Sequence, residues 1–273
     1  MVSLENKIME NQLKIVVLIS CMFQDNEDII RKSNVQTDVI VINQCDKDEV
    51  KEFYFQNRRG VKCHAKFINT TERGLSRSRN MAIKNAWGDI CYICDDDEIL
   101  EDDFEEIVAR TYGMYNQDVI IFAVNRKDHN YPSVEQKVSI RQILRTSSVQ
   151  TTFKRLSIIS KNIVFDELMG SGTGNGAGEE NKFLMDCRRA GLNIYYIPKV
   201  ISTVTSEESQ WFDGFTKKYF VDTAWAAKRI LGGPIAFLYL VYWSFIRSRA
   251  FEISFSKLTI LKYFLKGFFE KRL

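Results

Sequence analysis

Three short stretches, Lys14–Ser20 (KIVVLIS), Asp38–Asn43 (DVIVIN) and Ile90–Cys94 (ICYIC), are almost wholly apolar, with no alternation of polar and apolar residues. A strand with one face in water alternates with a period of two. Runs like these belong instead to strands covered on both faces, as in a parallel sheet lying between helices. The segments between them fit that plan: Gln24–Ser33, Val50–Asn57 and Leu75–Ala86 read as helices, and Lys66–Asn69 as a short third strand ahead of Ile90–Cys94. Val119–Val124 (VIIFAV) is a further strand, while Val149–Ile159 reads as extended or mixed structure. The expected fold class is α/β, an open, mostly parallel twisted sheet flanked by helices.

In such sheets ligands bind beyond the carboxyl ends of the strands. There the strand at Ile90–Cys94 runs into four consecutive acids, Asp95, Asp96, Asp97 and Glu98. Neighbouring carboxylates oppose one another's ionisation unless a cation neutralises them, and a hard divalent ion with oxygen ligands, Mn²⁺ or Mg²⁺, suits them. Such an ion keeps open positions that phosphates commonly fill, so the site reads as a nucleotide site. The plainer alternative makes Asp95–Asp103 the acidic start of a surface helix, favoured by the helix dipole.

Further on, Met169–Gly178 (MGSGTGNGAG) holds five glycines in ten residues, a density that neither helix nor strand tolerates, so it is expected to be a mobile loop. It lacks the G-x-x-x-x-G-K-[ST] pattern of a phosphate-binding loop. Glu179–Ala190 then reads as a helix closed by Gly191, followed by a strand, Ile194–Ile197, stopped by Pro198.

Composition excludes several classes. A chain of 273 residues, 45% hydrophobic, has enough apolar material for a large core and is not disordered. Two histidines, His64 and His129, rule out a histidine-rich metal centre. Six scattered cysteines without a preceding secretory signal are expected to be reduced thiols of a cytoplasmic protein. Cys91 and Cys94, three apart on a strand, point to opposite faces and make a poor zinc or redox pair.

The formal charge of +3 is unevenly spread, because from Phe215 onward eleven Lys/Arg face three Asp/Glu. That basic segment is rich in aromatics and includes Pro234–Ile246 (PIAFLYLVYWSFI), thirteen uncharged residues. This run is well short of the roughly 20 needed to span a bilayer. In a last helix, Ile260, Leu261, Phe264, Leu265 and Phe268 share one face and Lys262, Lys266 and Glu270 the other. The pattern suits a helix lying on an anionic membrane surface; the alternative is a helical appendage docked on the core or on a second subunit. No nucleic-acid recognition motif is present.

Taken with their order, these pieces resemble glycosyltransferase family 2. The resemblance rests on Gly74-Leu-Ser-Arg-Ser-Arg79-Asn-Met-Ala, on Ala86-Trp-Gly-Asp89, and on the strand ending in Asp95-Asp-Asp97. It continues at Gly178-Glu-Glu180, similar to the family's G-E-D helix, and at Tyr196-Ile-Pro198, and it covers about residues 13 to 200. It implies an inverting, metal-dependent transferase with a glycosyltransferase A-type domain over 13–205, its nucleotide-binding half 13–98 and its acceptor half 99–205. Residues 206–273 would form a helical, membrane-associating extension.

On the family pattern, Asp95 would contact the ribose or the metal, and Asp97 would coordinate the metal. Ser20, Cys21, Asp46, Arg79 and Asp96 would belong to the donor side. Asp46 stands where the family reads the base, though Asn43-Gln-Cys-Asp46 replaces the usual D-D-G-S. Glu180 would be the catalytic base, with Glu179 as the alternative, and Gly172, Gly174 and Gly176 would form an acceptor loop. The histidine that many relatives carry after the Y-x-P strand is missing from Ser202–Ser206. The implied donor is a nucleotide-diphosphate sugar, a UDP-sugar by expectation, and the implied acceptor a saccharide, lipid-linked, at the inner face of the cell membrane. Two rivals remain: a catalytically silent scaffold that binds nucleotide-sugar or saccharide, and a phosphohydrolase or phosphotransferase, whose acidic strand usually comes first in the chain.

Overall fold

The computed structural model describes residues 13–127, 129–175, 178–206 and 214–272. Among these residues ten strands form one sheet in the order β3-β4-β2-β1-β5-β9-β7-β10-β6, with β8 also pairing to β10. The strands are β1 Ile15–Met22, β2 Asp38–Gln44, β3 Glu49–Gln56, β4 Lys62–Thr70, β5 Ile90–Asp95, β6 Glu98–Leu100, β7 Val119–Asn125, β8 Gln136–Lys137, β9 Thr151–Lys154 and β10 Ile194–Val204. Strands β4, β2, β1 and β5 are parallel neighbours. Beyond β5 the sheet turns mixed, since β9 runs antiparallel to both β5 and β7 while β7 and β10 run parallel.

The unalternating strands are explained by two apolar layers. From β1, Val16 and Leu18 enter one core with Ile40, Ile42, Cys91 and Ile93. Their neighbours Ile15, Val17 and Ile19 enter the other, with Val39, Val41 and Tyr92. Cys91 and Cys94 accordingly lie in opposite layers, and all six cysteines are free and buried.

Helices α1 Ile29–Lys32 and α3 Phe104–Met114 contribute to the second layer. The first is covered by α2 Leu75–Asn85, α5 Arg155–Ser160, α6 Glu179–Arg189, α7 Lys217–Leu231, α8 Gly233–Phe245 and α9 Lys257–Phe269; the short α4 is Ile140–Ile143. After α2, the Trp87-Gly88-Asp89 turn presses against β1. A Cβ on Gly88 would come within 2.7 Å of the Lys14 carbonyl, and the Asp89 carboxylate accepts from the Lys14 N–H at 2.9 Å.

Several elements differ from the sequence expectation. The helix expected over Gln24–Ser33 shrinks to Ile29–Lys32, because Asn43 pairs with the Gln24 backbone through both its amide groups and Asn26 caps the Asp28 N–H. Val50–Asn57 is not a helix but most of edge strand β3, antiparallel to β4 along its whole length. Phe53 and Phe55, two apart, pack on the core while Glu52, Tyr54 and Gln56 are exposed, a period of two that outweighs the charged composition. The short strand at Lys66–Asn69 is the second half of a nine-residue strand.

Pro198 does not end the last strand either. β10 runs on to Val204 with register shifts between Ile197 and Val200 and again before Thr203, and a bulge is where a strand accommodates proline. The apolar face of α9, expected to lie on a membrane, is instead docked: Ile260, Phe264 and Phe268 are buried, and Phe264 meets Phe220 edge-on at 5.4 Å. Gly267 permits this, since a Cβ there would lie 2.0 Å from the Val221 carbonyl oxygen of α7.

Candidate active site

The parallel strands β1, β2 and β5 all end at one edge of the sheet, and most of the expected donor residues gather there. Ser20 and Cys21, the last two residues before β1 ends at Met22, are buried; the Ser20 hydroxyl accepts from Ser78 of α2 at 2.8 Å. Burial raises the Cys21 thiol well above its usual range, so it is a neutral packing group at neutral pH. Asp46, just past β2, is open to solvent and ion-paired with Arg73 at 2.7 Å. Arg73 also donates to the Cys45 and Thr71 carbonyls, which fixes the loop that carries Asp46.

At the end of β5 the four acids have different surroundings. Glu98 is buried: its Oε1 accepts from the Tyr92 and Ser202 hydroxyls, both at 2.7 Å, and its Oε2 from the Asp95 N–H at 2.9 Å. Burial, reinforced by Asp95, pushes its carboxyl up to about 8. It is therefore a framework group that shapes the turn, and neither the solvated-helix reading nor a metal role describes it. Asp97 lies against the end of β10, accepting from the Ser206 hydroxyl through its carboxylate and from Thr205 through its carbonyl. Restricted solvation and the charges of Asp95 and Asp97 raise the carboxyl of Asp96 between them.

Arg79 carries the most informative geometry. Its side chain is 2% exposed and donates at 2.9 Å to Asp95 Oδ1, at 2.9 Å to Glu179 Oε1 and at 2.8 Å to Ser148 Oγ. The expected donor-facing arginine is thus enclosed, joining the end of β5 to the start of α6, 84 residues further along the chain (179 − 95). Phe165 covers it, with the guanidinium 5.4 Å from the ring centre. Ser148, which also donates to Asp95 Oδ2 at 3.3 Å, is not legible in the sequence, because its segment has no clear period.

Glu179 and Glu180 open α6. Both oxygens of Glu179 are engaged, one by Arg79 and the other by the Gly178 N–H at 3.1 Å. Glu180 differs: its Oε2 is buried and has no hydrogen-bond partner among the described residues. Burial first, then the Glu179 charge, push its carboxyl up to about 8, against a lowering pull from Arg79.

The glycine-rich segment packs under this pair. Gly170 leaves room for Glu179, since a Cβ would lie 3.1 Å from that carboxyl carbon, and a Cβ on Gly172 would lie 3.3 Å from the Gly74 Cα. The Ser171 carbonyl accepts from the Leu75 N–H, and the Met169 carbonyl from the Ser76 hydroxyl, which ties the segment to the start of α2. Gly174 accepts from Lys218 through its carbonyl, while Gly176 lies outside the described residues.

Among the described residues no group of three or more His, Cys, Asp or Glu stands ready to hold a metal. Two carboxylates at a strand end, Asp95 and Asp97, still match the sparse donor set that Mg²⁺ and Mn²⁺ use when phosphates and water complete the shell. By residue type the two are ligands that such an ion accepts; here Asp95 accepts from Arg79 and Ser148 and Asp97 from Ser206, contacts that a bound ion would share or replace.

No curated protein matches the chain. Among solved structures, S. aureus TarS 1-349 superposes with a TM-score of 0.61 at 16% identity, covering 93% of this chain and 81% of that one. The same protein in complex with UDP-GlcNAc gives a TM-score of 0.63 at 17% identity, with the same coverage. These likenesses establish a shared fold, an α/β sheet flanked by helices of the glycosyltransferase A type. The family model described as "Glycosyl transferase family 2" matches residues 27–167, just over half of the chain. The chain is a member of glycosyltransferase family 2.

Proposed function

We propose that this glycosyltransferase transfers a sugar with inversion from a UDP-sugar to a saccharide acceptor, with Glu180 as the base and Asp95 and Asp97 on the donor side. The observation that carries the reading is the Arg79 bridge, which fixes Asp95 at the end of β5 and Glu179, next to Glu180, at the start of α6 around one cation. Inverting transfer needs that division of labour. The acceptor oxygen attacks the anomeric carbon, the bond from that carbon to the diphosphate oxygen breaks, and the hydroxyl proton passes to a carboxylate. Glu180 suits the proton-accepting role because its Oε2 is buried without a hydrogen-bond partner among the described residues and burial raises its affinity for a proton. Glu179 is the poorer base, since Arg79 and the Gly178 N–H occupy its oxygens.

Mn²⁺ or Mg²⁺ held by Asp95 and Asp97 would neutralise charge on the departing diphosphate. Asp46, with Ser20, Cys21 and Asp96, frames the nucleoside end. Gly172 and Gly174 would border the acceptor. UDP-GlcNAc is the first donor to test, because structures of the similarly folded S. aureus TarS are described in complex with UDP-GlcNAc and with UDP. A lipid-linked saccharide of a bacterial surface polysaccharide is the acceptor class, with the enzyme peripheral on the inner membrane face. No helix among the described residues is long and apolar enough to cross a membrane, which is compatible with that placement.

Thermal denaturation with UDP-GlcNAc or UDP, with and without Mn²⁺, tests the donor. A ligand that binds only the folded state at about 100 times its Kd adds about 2.7 kcal/mol, so melting should rise by several degrees in Mn²⁺. UDP release from UDP-GlcNAc then separates an enzyme from a silent binder. Binding without turnover would favour the scaffold, and no response to any nucleotide-sugar would overturn the proposal.

A further inference from the structure

We infer that the outward face of α8 is the surface that seats this protein on an anionic lipid bilayer. Its thirteen residues, Gly233–Phe245, contain no charge, and both of its sides are apolar. Ala236, Leu240 and Trp243 are buried against the protein, whereas Ile235, Leu238, Tyr242 and, just beyond the helix, Ile246 are exposed, Leu238 to 69%. Spacings of three and four residues align those exposed groups in one ridge. A helix apolar all round ordinarily has a partner on each side, and among the described residues this ridge has none. At about 1.5 Å per residue α8 is roughly 20 Å long, too short to cross a hydrocarbon core of about 30 Å, so it would lie in the interface plane.

The charges beside the ridge favour lipid over another protein. From Gly233 to Phe269 the chain has five Lys/Arg and one acid, Glu252. Lys262 and Lys266 are exposed on the outward side of α9, interleaved with exposed Leu258 and Phe269. The two helices touch where Phe237 of α8 meets Phe268 of α9 at 6.0 Å. Arg247 and the exposed Arg249 directly follow Ile246, so basic charge adjoins the ridge at its end, the combination that binds acidic headgroups while burying apolar side chains. A two-fold pairing of the same face would set one basic rim near its copy, with like-charge repulsion.

The inference refines the peripheral-membrane part of the proposed function and is independent of the catalytic part. Its test is co-sedimentation with phosphatidylcholine vesicles, with and without phosphatidylglycerol, for the full chain and for the Leu238→Glu and Lys262→Glu/Lys266→Glu variants. Light scattering gives the oligomeric state, and unchanged melting confirms folding. The full chain should bind only the phosphatidylglycerol vesicles and lose binding as salt is raised. Leu238→Glu should weaken binding about tenfold or more, as expected for losing one buried leucine side chain, and the double lysine variant by a similar factor. If Leu238→Glu sediments like the unmodified chain, or if the chain binds no vesicle, the inference is overturned. A dimer that Leu238→Glu splits, without vesicle binding, would give the ridge to a second copy and overturn it equally. UDP release from UDP-GlcNAc, run in parallel, reports on the catalytic reading separately.

Discussion

Replacing Arg79 with methionine tests the bridge at the centre of the site. Methionine approximates the length and apolar stem of arginine but leaves Asp95 and Glu179 without their shared cation and removes the donors at 2.9, 2.9 and 2.8 Å. The Glu179 side chain is only 7% exposed, so water cannot replace what is lost there, whereas Asp95, at 29%, is partly solvated. Removing one partner of a buried ion pair typically costs about 3–5 kcal/mol, and the exposed part of the bridge adds about 1 kcal/mol at most. For a chain of this size each kcal/mol moves melting by about 2–4 °C, so Arg79→Met should melt roughly 6–24 °C lower. The companion variant Arg79→Met/Glu179→Gln removes the stranded charge while keeping an acceptor for the Gly178 N–H. It should melt above Arg79→Met alone, a non-additivity that circular-dichroism melts of the four proteins in the cycle measure directly. A drop below about 2 °C in the single variant, or no recovery in the double, would refute the argument that Arg79 compensates these carboxylates.

Three further outcomes follow from other parts of the structure. Glu180 has a folded-state pKa raised from the ordinary 4.5 to about 8, so its contribution to stability is fully present below about 4.5 and is lost as pH rises through about 8. Relative to Glu180→Gln, the unmodified chain should therefore gain in melting temperature as pH is lowered from 8.5 to 5; a pH-independent difference would count against a raised pKa. Gly267→Val places a side chain against the Val221 backbone and should cost about 1–3 kcal/mol or more by separating α9 from α7, seen as a lower melting temperature; an unchanged melt would mean that α9 is not docked there. Asp97→Asn, with Asp97 partly exposed, should leave melting near that of the unmodified chain while abolishing the Mn²⁺-dependent part of UDP binding by calorimetry; retained Mn²⁺ dependence would remove Asp97 from the metal site.

The parallel part of the sheet can be read from sequence because its strands are buried on both faces, and an uninterrupted apolar run of that length, bounded by polar residues, suits a covered strand far better than a solvated one. Strand β3 cannot, since an edge strand shows water its charged residues and keeps only Phe53 and Phe55 as a period-two trace. Pro198 misleads for a related reason: proline stops a regular ladder but is tolerated at the bulge where β10 shifts register. In the site, the acids at 95–97 and 179–180 stand out by type and position. The joining of Asp95 and Glu179 through Arg79, with Ser148 beside them, depends on tertiary contacts that no local pattern encodes. Glu98 belongs to the acidic run by sequence, yet Tyr92 and Ser202 enclose it; only the apolar Ile99-Leu100 after it hints that a strand, not a solvated turn, begins there. The face of α9 is recognisably apolar, but helical periodicity does not say whether lipid or protein covers it, and here α7 does.

The most direct test of the central claim is UDP release from UDP-GlcNAc in Mn²⁺ by Glu180→Gln and Glu179→Gln beside the unmodified chain, with UDP affinity measured on each. General-base catalysis is typically worth about 10² to 10⁴ in rate, so Glu180→Gln should lose turnover by that factor with UDP affinity unchanged, and Glu179→Gln should lose far less. Full turnover in Glu180→Gln, with the large loss falling on Glu179→Gln or on neither, would contradict the assignment of the base.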